Sequence, residues 1–357
     1  MNDEQVVPTS PHPPLEALEA LGWDDGWENE LRSVAPIGEA ARVLEHHGAG
    51  LVVGTATGPR SLMLTLRLDP EPAVGDWVVL VDDEVVLVLP RRSLLRRRTA
   101  HGDGEQQLAA NVDRVLLVCG LDRPVKDGRI QRGTAIAHDA GAEPVVVLTK
   151  AERTGDPAVD PEKAAAEVRA AHPGVKVVVT SVKEGVGIDA LRDLVEGATV
   201  TLLGESGAGK SSIVNALLGS ETVRTGEVRS GDAKGRHTTT NRELHLIDGG
   251  GVLIDTPGIR AVGLVVDDTA VAETFAEVGE LAETCRFADC THRTEPGCAI
   301  LAALASGELD PERVRRWQEL RDETVAAQLR NRPQEKQKAG KRPGKLAREA
   351  QRRQRQD

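Results

Sequence analysis

The octapeptide GESGAGKS, Gly204 to Ser211, constrains the fold of this chain more than any other stretch. It matches G-x-x-x-x-G-K-[ST] in full. The apolar run TVTLL precedes it and the periodic SIVNALL follows, so a strand enters the loop and a helix leaves it. In that setting the backbone N–H groups of the loop and the helix N-terminus form a nest for polyphosphate. Lys210 is placed to reach β- and γ-phosphates, and Ser211 to hold Mg²⁺. The loop alone leaves adenine and guanine open.

The surrounding text supplies the sheet that such a loop needs. VDRVLLVCG reads as a strand, IQRGTAIAHDAG as a helix, EPVVVLTK as a strand and 161–171 as a helix. VKVVVTS, IDALRDLVEG and TVTLLG continue the alternation as strand, helix, strand. This β-α-β rhythm predicts a parallel sheet covered by helices. Downstream, VLIDTPGI runs a strand into Asp255-Thr256-Pro257-Gly258. Asp255 is the expected second partner of the Mg²⁺ site, and Gly258 can offer its N–H to a γ-phosphate. An ordinary turn is the plainer reading of so short a motif. Between the two lies GDAKGRHTTTN, a polar loop whose threonines Thr238 to Thr240 can order around Mg²⁺ and release after hydrolysis.

These parts resemble a GTPase. GTPases also carry N-K-x-D for the base, with S-A-K beside it, and neither follows Gly258. Both candidates come earlier: Thr149, Lys150, Ala151 and Glu152, then Ser181, Val182 and Lys183 after the next strand. Base motifs before phosphate motifs is the order of a circularly permuted GTPase. Permutation is tolerable because domain termini often lie close together at the surface.

CRFADCTHRTEPGC places Cys285, Cys290, His292 and Cys298 at C-x4-C-x-H-x5-C. Three thiolates and an imidazole form a closed tetrahedral Zn²⁺ set, which predicts a structural site rather than a catalytic one. Reduced, unbound cysteines are the alternative. Cys119, alone on a strand, reads as a small apolar residue.

From about 36 to 105 five short β runs are separated by turn signals, which suits a small barrel, an OB-fold first, with another small barrel or sandwich as the alternative. Before them, the opening is Pro-rich and reads as partly disordered, with Trp23 and Trp27 as pins onto a neighbour. No secretory signal is evident, and the longest apolar runs are too short to span a membrane. The chain reads as soluble and cytoplasmic, and as a monomer. Its net charge of −11 hides a basic end: 330–357 holds 11 Lys and Arg against 3 Asp and Glu. An acidic body with a basic tail predicts an anionic partner for the tail, a solubilising tail being the alternative. Arg91, Arg92 and Arg96 to Arg98 form a second cluster that could grip RNA, or a solvated loop.

A barrel, a permuted GTPase and a Cys3His segment together resemble one family, the ribosome small-subunit-dependent GTPase A family. The resemblance runs over roughly 36 to 325 and includes PAVGDWVVL, LAANVDRVLLV and GRHTTT. It implies a multidomain protein, with an OB-fold barrel at 36–107, a permuted GTPase domain at 108–269 and a helical zinc domain at 270–329, between an extension at 1–35 and a basic tail at 330–357 that composition sets apart. It also implies GTP hydrolysis stimulated by the small ribosomal subunit, contact with its rRNA and a role in late subunit maturation. Carried over, Gly204, Glu205, Ser206, Gly207, Ala208, Gly209, Lys210, Ser211 and Ser212 bind phosphates, while Ser211, Thr239 and Asp255 support Mg²⁺. Cys285, Cys290, His292 and Cys298 hold Zn²⁺. GTPases of the Ras type place a water-orienting Gln after the D-x-x-G glycine. Ile259 stands there, and the resemblance gives the role to His237. The base motif departs from the family at two positions. Glu152 is one methylene longer than the usual Asp, and Thr149 replaces Asn. Two other readings stand beside this one: a nucleotide-gated RNA-binding module with negligible turnover, and an ATP-dependent P-loop kinase or transporter component.

Overall fold

The structure is a computed structural model that describes residues 15–35, 37–98, 105–153, 160–219, 242–255 and 268–325. His237, the threonines 238–240, Gly258, Ile259, the first 14 residues and the basic tail lie outside the described residues. The described residues fall into two compact units, divided at Arg96/Arg97, at Gln106/Gln107 and between Asp255 and Asp268.

The first unit begins with two short helices, α1 (Leu15–Ala20) and α2 (Asp25–Val34). Asp24 caps α2 by accepting from the Trp27 N–H at 2.9 Å, the usual role of an Asp at that position. Five antiparallel strands follow: β1 (Glu39–His47), β2 (Gly50–Thr55), β3 (Gly58–Met63), β4 (Trp77–Val81) and β5 (Glu84–Val88). Their order is β3-β2-β1-β4-β5. Asp82 and Asp83, both with positive φ, close the two-residue turn from β4 to β5. Trp23 and Trp27 are buried against Trp77, at ring centroids of 4.7 and 6.3 Å, so residues 15–35 are packed onto the strands.

Arg42 is the most heavily used polar group in this unit. Its guanidinium is buried and donates to the carbonyls of Gly75, Leu21 and Asn111 and to Thr199 Oγ1. It also stands over the Trp77 ring at 5.3 Å. Burial draws its pKa down to about 10, against the pull of Asp113 and Asp76.

β6 (Leu94–Arg98) and β7 (Glu105–Ala110) pair with each other. The sequence reading had no strands there, because LLRRR and EQQLAA show neither alternation nor an apolar run. The arginines it groups as an RNA grip, or a solvated loop, have partners within the fold. Arg91 is bound to Asp76 and Gln107, Arg92 to Asp24 with its guanidinium over Trp27, and Arg96 to Asp139. These arginines hold the fold together.

The α/β sheet of the first unit contains β8 (Arg114–Gly120), β9 (Glu143–Thr149), β10 (Lys176–Val179), β11 (Thr199–Gly204), β12 (Glu243–Leu246) and β13 (Val252–Asp255). They lie in the order β10-β9-β8-β11-β13-β12, parallel except for β12. Helices α3 (Asp127–Asp139), α4 (Pro161–Ala171), α5 (Ile188–Val195) and α6 (Lys210–Leu218) connect the strands. Val145 to Leu148 are fully buried, as a strand covered on both faces requires. Leu116, Val118, Val200 and Leu202 pack with Leu191, Val195, Ile213 and Leu217 of α5 and α6. A single pair, Glu45 with Glu243, joins β1 to β12 and makes one continuous sheet of both halves.

The second unit is helical, with α7 (Asp268–Thr274), α8 (Ala276–Glu283), α9 (Ala299–Ser306) and a helical run over 311–325. Val271, Phe275, Val278, Ile300, Leu309, Val314, Trp317 and Leu320 are among its buried apolar side chains. No described helix is long and apolar enough to cross a membrane.

Candidate functional site

The phosphate loop sits where β11 ends, flanked by β8 on one side and β13 on the other. Gly204 is required there by close approach: a Cβ would stand 2.5 Å from the Val118 carbonyl oxygen. Gly209, at φ +101°, caps α6, and a Cβ on it would press Thr149 Oγ1 at 3.1 Å. The loop is thus closed by glycines exactly where neighbouring backbone and side chains leave no volume. Lys210, first residue of α6, turns its ammonium back over the loop and donates to the carbonyls of Gly204 and Glu205 at 2.8 and 2.7 Å. Ser211 and Ser212 follow in the first turn of the helix, at its positive end. Glu205 is paired with Arg129 of α3.

Asp255 is the last residue of β13, on the strand beside the loop. That placement is what a Mg²⁺-supporting carboxylate beside the phosphates needs. Its intended companions Thr239 and Gly258 lie outside the described residues.

On the other side of the loop, β9 delivers the predicted base motif. Thr149 is buried, and its hydroxyl donates to the carbonyl of Ala208, inside the phosphate loop. Lys150 takes a left-handed backbone, φ +60°, and its ammonium donates to Asp122 Oδ2 at 2.8 Å and to the Gly207 carbonyl at 2.6 Å. Ala151 to Arg153 form a 3₁₀ turn, and the Ala151 N–H donates to Thr180 O at 3.2 Å. This ties the motif to the segment after β10. There the buried Ser181 donates its hydroxyl to Glu152 Oε2 at 2.6 Å and accepts the Glu184 N–H at 3.1 Å. Val182 and Lys183 continue the turn at the surface. The structure therefore brings together residues 149–152, 181–183 and 204–212, which are far apart in sequence order.

Sequence reasoning missed two things here. Thr149 acts on the phosphate loop, so the replacement of Asn keeps a donor to that loop. Asp122 was not singled out at all. Its one available signal is position, just past a strand end at the carboxyl edge of a parallel sheet. On β8 nearby, burial pushes the Cys119 thiol up to about 11.

A second site lies wholly within the helical unit. The donor atoms of Cys285, Cys290, His292 and Cys298 all fall within 4.8 Å of one another, the cluster of that kind found among the described residues. Cys285 Sγ and Cys298 Sγ are 3.9 Å apart and stand 3.4 and 3.6 Å from His292 Nδ1. Around one tetrahedral ion with ordinary bond lengths, S–S edges measure about 3.8 Å and S–N edges about 3.6 Å. The residues fit a four-coordinate metal. The turn that carries them is built for it: His292 has φ +61°, and the Glu295 carboxylate accepts from the N–H groups of Thr291, Arg293 and Thr294. The Thr291 hydroxyl also donates to it, and that bond first, with the backbone N–H groups, holds the Glu295 carboxyl far below its ordinary range. The Ala299 N–H donates to Cys285 Sγ at 3.4 Å, and Trp317 packs on the His292 ring at 5.2 Å.

Comparison with known proteins places this arrangement. The RsgA GTPase family model matches residues 88–265. An ABC transporter model matches 190–354, a span that includes the phosphate loop. The chain is 42% identical to "Small ribosomal subunit biogenesis GTPase RsgA 2" of Vibrio parahaemolyticus, over 85% of the chain and 84% of that protein. It is 42% identical to "Small ribosomal subunit biogenesis GTPase RsgA" of Streptomyces coelicolor, over 88% of each. Among solved structures, YjeQ from Thermotoga maritima matches with a TM-score of 0.61 at 26% identity, over 81% of the chain and 99% of that structure. YloQ, described as a circularly permuted GTPase, shares the fold with a TM-score of 0.58 at 19% identity, over 81% of the chain and 96% of that structure.

Proposed function

The chain belongs to the RsgA GTPase family, and from that premise we propose that it hydrolyses GTP in biogenesis of the small ribosomal subunit, with turnover stimulated by that subunit. The observation that carries the reading is the meeting of three strand ends: Lys150 and Glu152 on one side of the 204–211 loop, Asp255 on the other. The ABC transporter match does not displace it, because that span leaves out the base motifs at 149–152 and 181–183, which stand against the loop.

In this reading the N–H groups of 204–212 cradle the phosphates, and Lys210 exchanges loop carbonyls for phosphate oxygens. Ser211 and Asp255, with Thr239, would hold Mg²⁺, whose charge offsets what develops on the phosphates. Gly258 offers its N–H to the γ-phosphate. Glu152, with Ser181 fixing one carboxylate oxygen, accepts from the ring N–H and amino group of guanine. Adenine would present a ring acceptor to that carboxylate, which penalises ATP. Val182 and Lys183 border the same pocket. His237 orients the attacking water in place of the missing Gln.

The four-coordinate set at 285–298 is read as a structural Zn²⁺ site, since all four positions are protein ligands. The strands at 39–88 are read as the OB-fold barrel of the domain scheme, and the basic residues 330–357 as a salt-sensitive contact with rRNA. The protein is taken as a cytoplasmic monomer.

Competition against a bound fluorescent GDP tests the nucleotide assignment. GTP should displace it at far lower concentration than ATP, and Glu152→Gln should narrow the gap. Equal displacement by both nucleotides in the unaltered protein would sink the reading.

A further inference from the structure

The geometry points to Asp122 as a positioning residue for nucleotide binding: its carboxylate holds the Lys150 ammonium against the Gly207 carbonyl and so fixes the base-reading loop to the phosphate loop. The inference rests on the reading of 149–152 as the base-binding segment.

Three loops meet at one ammonium. Lys150 comes from the end of β9, Gly207 from the phosphate loop and Asp122 from the turn after β8. The Lys150 Nζ lies 2.8 Å from Asp122 Oδ2 and 2.6 Å from the Gly207 oxygen. Asp122 is itself held from another side: Arg123 donates through Nε to Oδ1 at 3.3 Å and through Nη2 to Oδ2 at 3.2 Å. Gly120 makes room for the carboxylate, since a Cβ there would stand 2.5 Å from Asp122 Oδ1. Both partners of the pair are three-quarters shielded, with side-chain exposures of 25%. Burial raises the Asp122 carboxyl, but the hydrogen bonds from Arg123 and Lys150 outweigh it and hold the carboxyl below its ordinary value.

The consequence follows from the lysine stem. Its left-handed backbone sends the side chain across the loop, and four rotatable bonds would let a loose head wander. Anchored at both Asp122 and Gly207, the methylenes form an ordered apolar strip on which a purine ring can lie. Ordering the strip before the ligand arrives removes part of the entropy that binding would otherwise lose. The ring face looks alike in guanine and hypoxanthine. Asp122 should therefore govern affinity and leave base selection to Glu152.

The test measures dissociation constants of GDP and inosine diphosphate on the full-length chain. Asp122→Asn should weaken both about three- to tenfold and by the same factor, as expected for a partly shielded ion pair that orders a side chain. Asp122→Glu should recover part of the loss. In a Lys150→Ala background, Asp122→Asn should add nothing, because the carboxylate would have lost what it positions. Unchanged affinity in Asp122→Asn, or the same loss repeated without Lys150, overturns the proposal. Failure of the unaltered chain to bind guanine nucleotide would instead overturn the assignment of the base motif on which it rests.

Discussion

At the scale of single residues, the site departs from the common GTPase pattern at three places, and each departure has a local physical answer. Thr149 is shorter than Asn, yet its hydroxyl reaches the Ala208 carbonyl. Glu152 is longer than Asp, and Ser181 fixes its carboxylate at 2.6 Å. The residue after Gly258 is Ile259, which has no group to orient water, and the role proposed for His237, just before the threonines, answers that lack. An imidazole near its ordinary pKa can polarise or orient water at neutral pH. His237→Ala should lower stimulated kcat by about 10²-fold or more while leaving GTP affinity within about twofold, the pattern of an interaction made only in the transition state. Single-turnover kinetics on ribosomal particles checks it, and an unchanged rate would remove His237 from the mechanism. The strand end that carries Lys150 and Glu152 was legible because both follow an apolar run. Asp122 was not legible, because its partner is 28 residues away in sequence and comes alongside only when β8 and β9 pair.

At the scale of elements, periodicity carried most of the fold. The helix over 161–171 and the strand over 199–204 stand where the pattern puts them. β12 escaped because ELHL is four residues long, alternating and polar, and its place is set by pairing with β13 and β1. The charge of the arginines at 91–96 has partners that sequence order does not show. Asp76, Asp24 and Asp139, distant in the chain, absorb it. Arg42 shows the same effect in the core, where one guanidinium serves three backbone carbonyls and a threonine. Arg42→Met keeps the volume and strands those acceptors, so it should destabilise the protein by about 3 kcal/mol. Chemical denaturation measures this, and a loss below about 1 kcal/mol would mean water replaces the guanidinium without penalty. In the helical unit the turn at 285–298 carries the four candidate ligands, so its order should depend on metal. Chelation should remove one equivalent of zinc, speed hydrogen exchange over 285–298 and alter the emission of Trp317, whose ring packs against His292. Exchange and emission that ignore chelation would contradict a structural metal.

At the scale of the whole molecule, permutation has a functional consequence. The candidate base motifs come first in the chain, so Asp255 and the D-x-x-G motif are followed directly by the Cys3His segment, with 29 residues between Asp255 and Cys285. A change at the γ-phosphate has a short covalent path to that segment. Sequence order alone made the permutation legible, whereas the joining of β1 to β12 into one sheet needed the structure. The central claim is that this assembly is a GTP hydrolase whose work is done on the small ribosomal subunit. Steady-state GTP turnover of the full-length protein, measured with and without purified small subunits, tests it most directly. Turnover should be slow alone and rise at least about tenfold with small subunits, in keeping with a catalytic arrangement completed by a bound partner. Equal turnover in both conditions would contradict it.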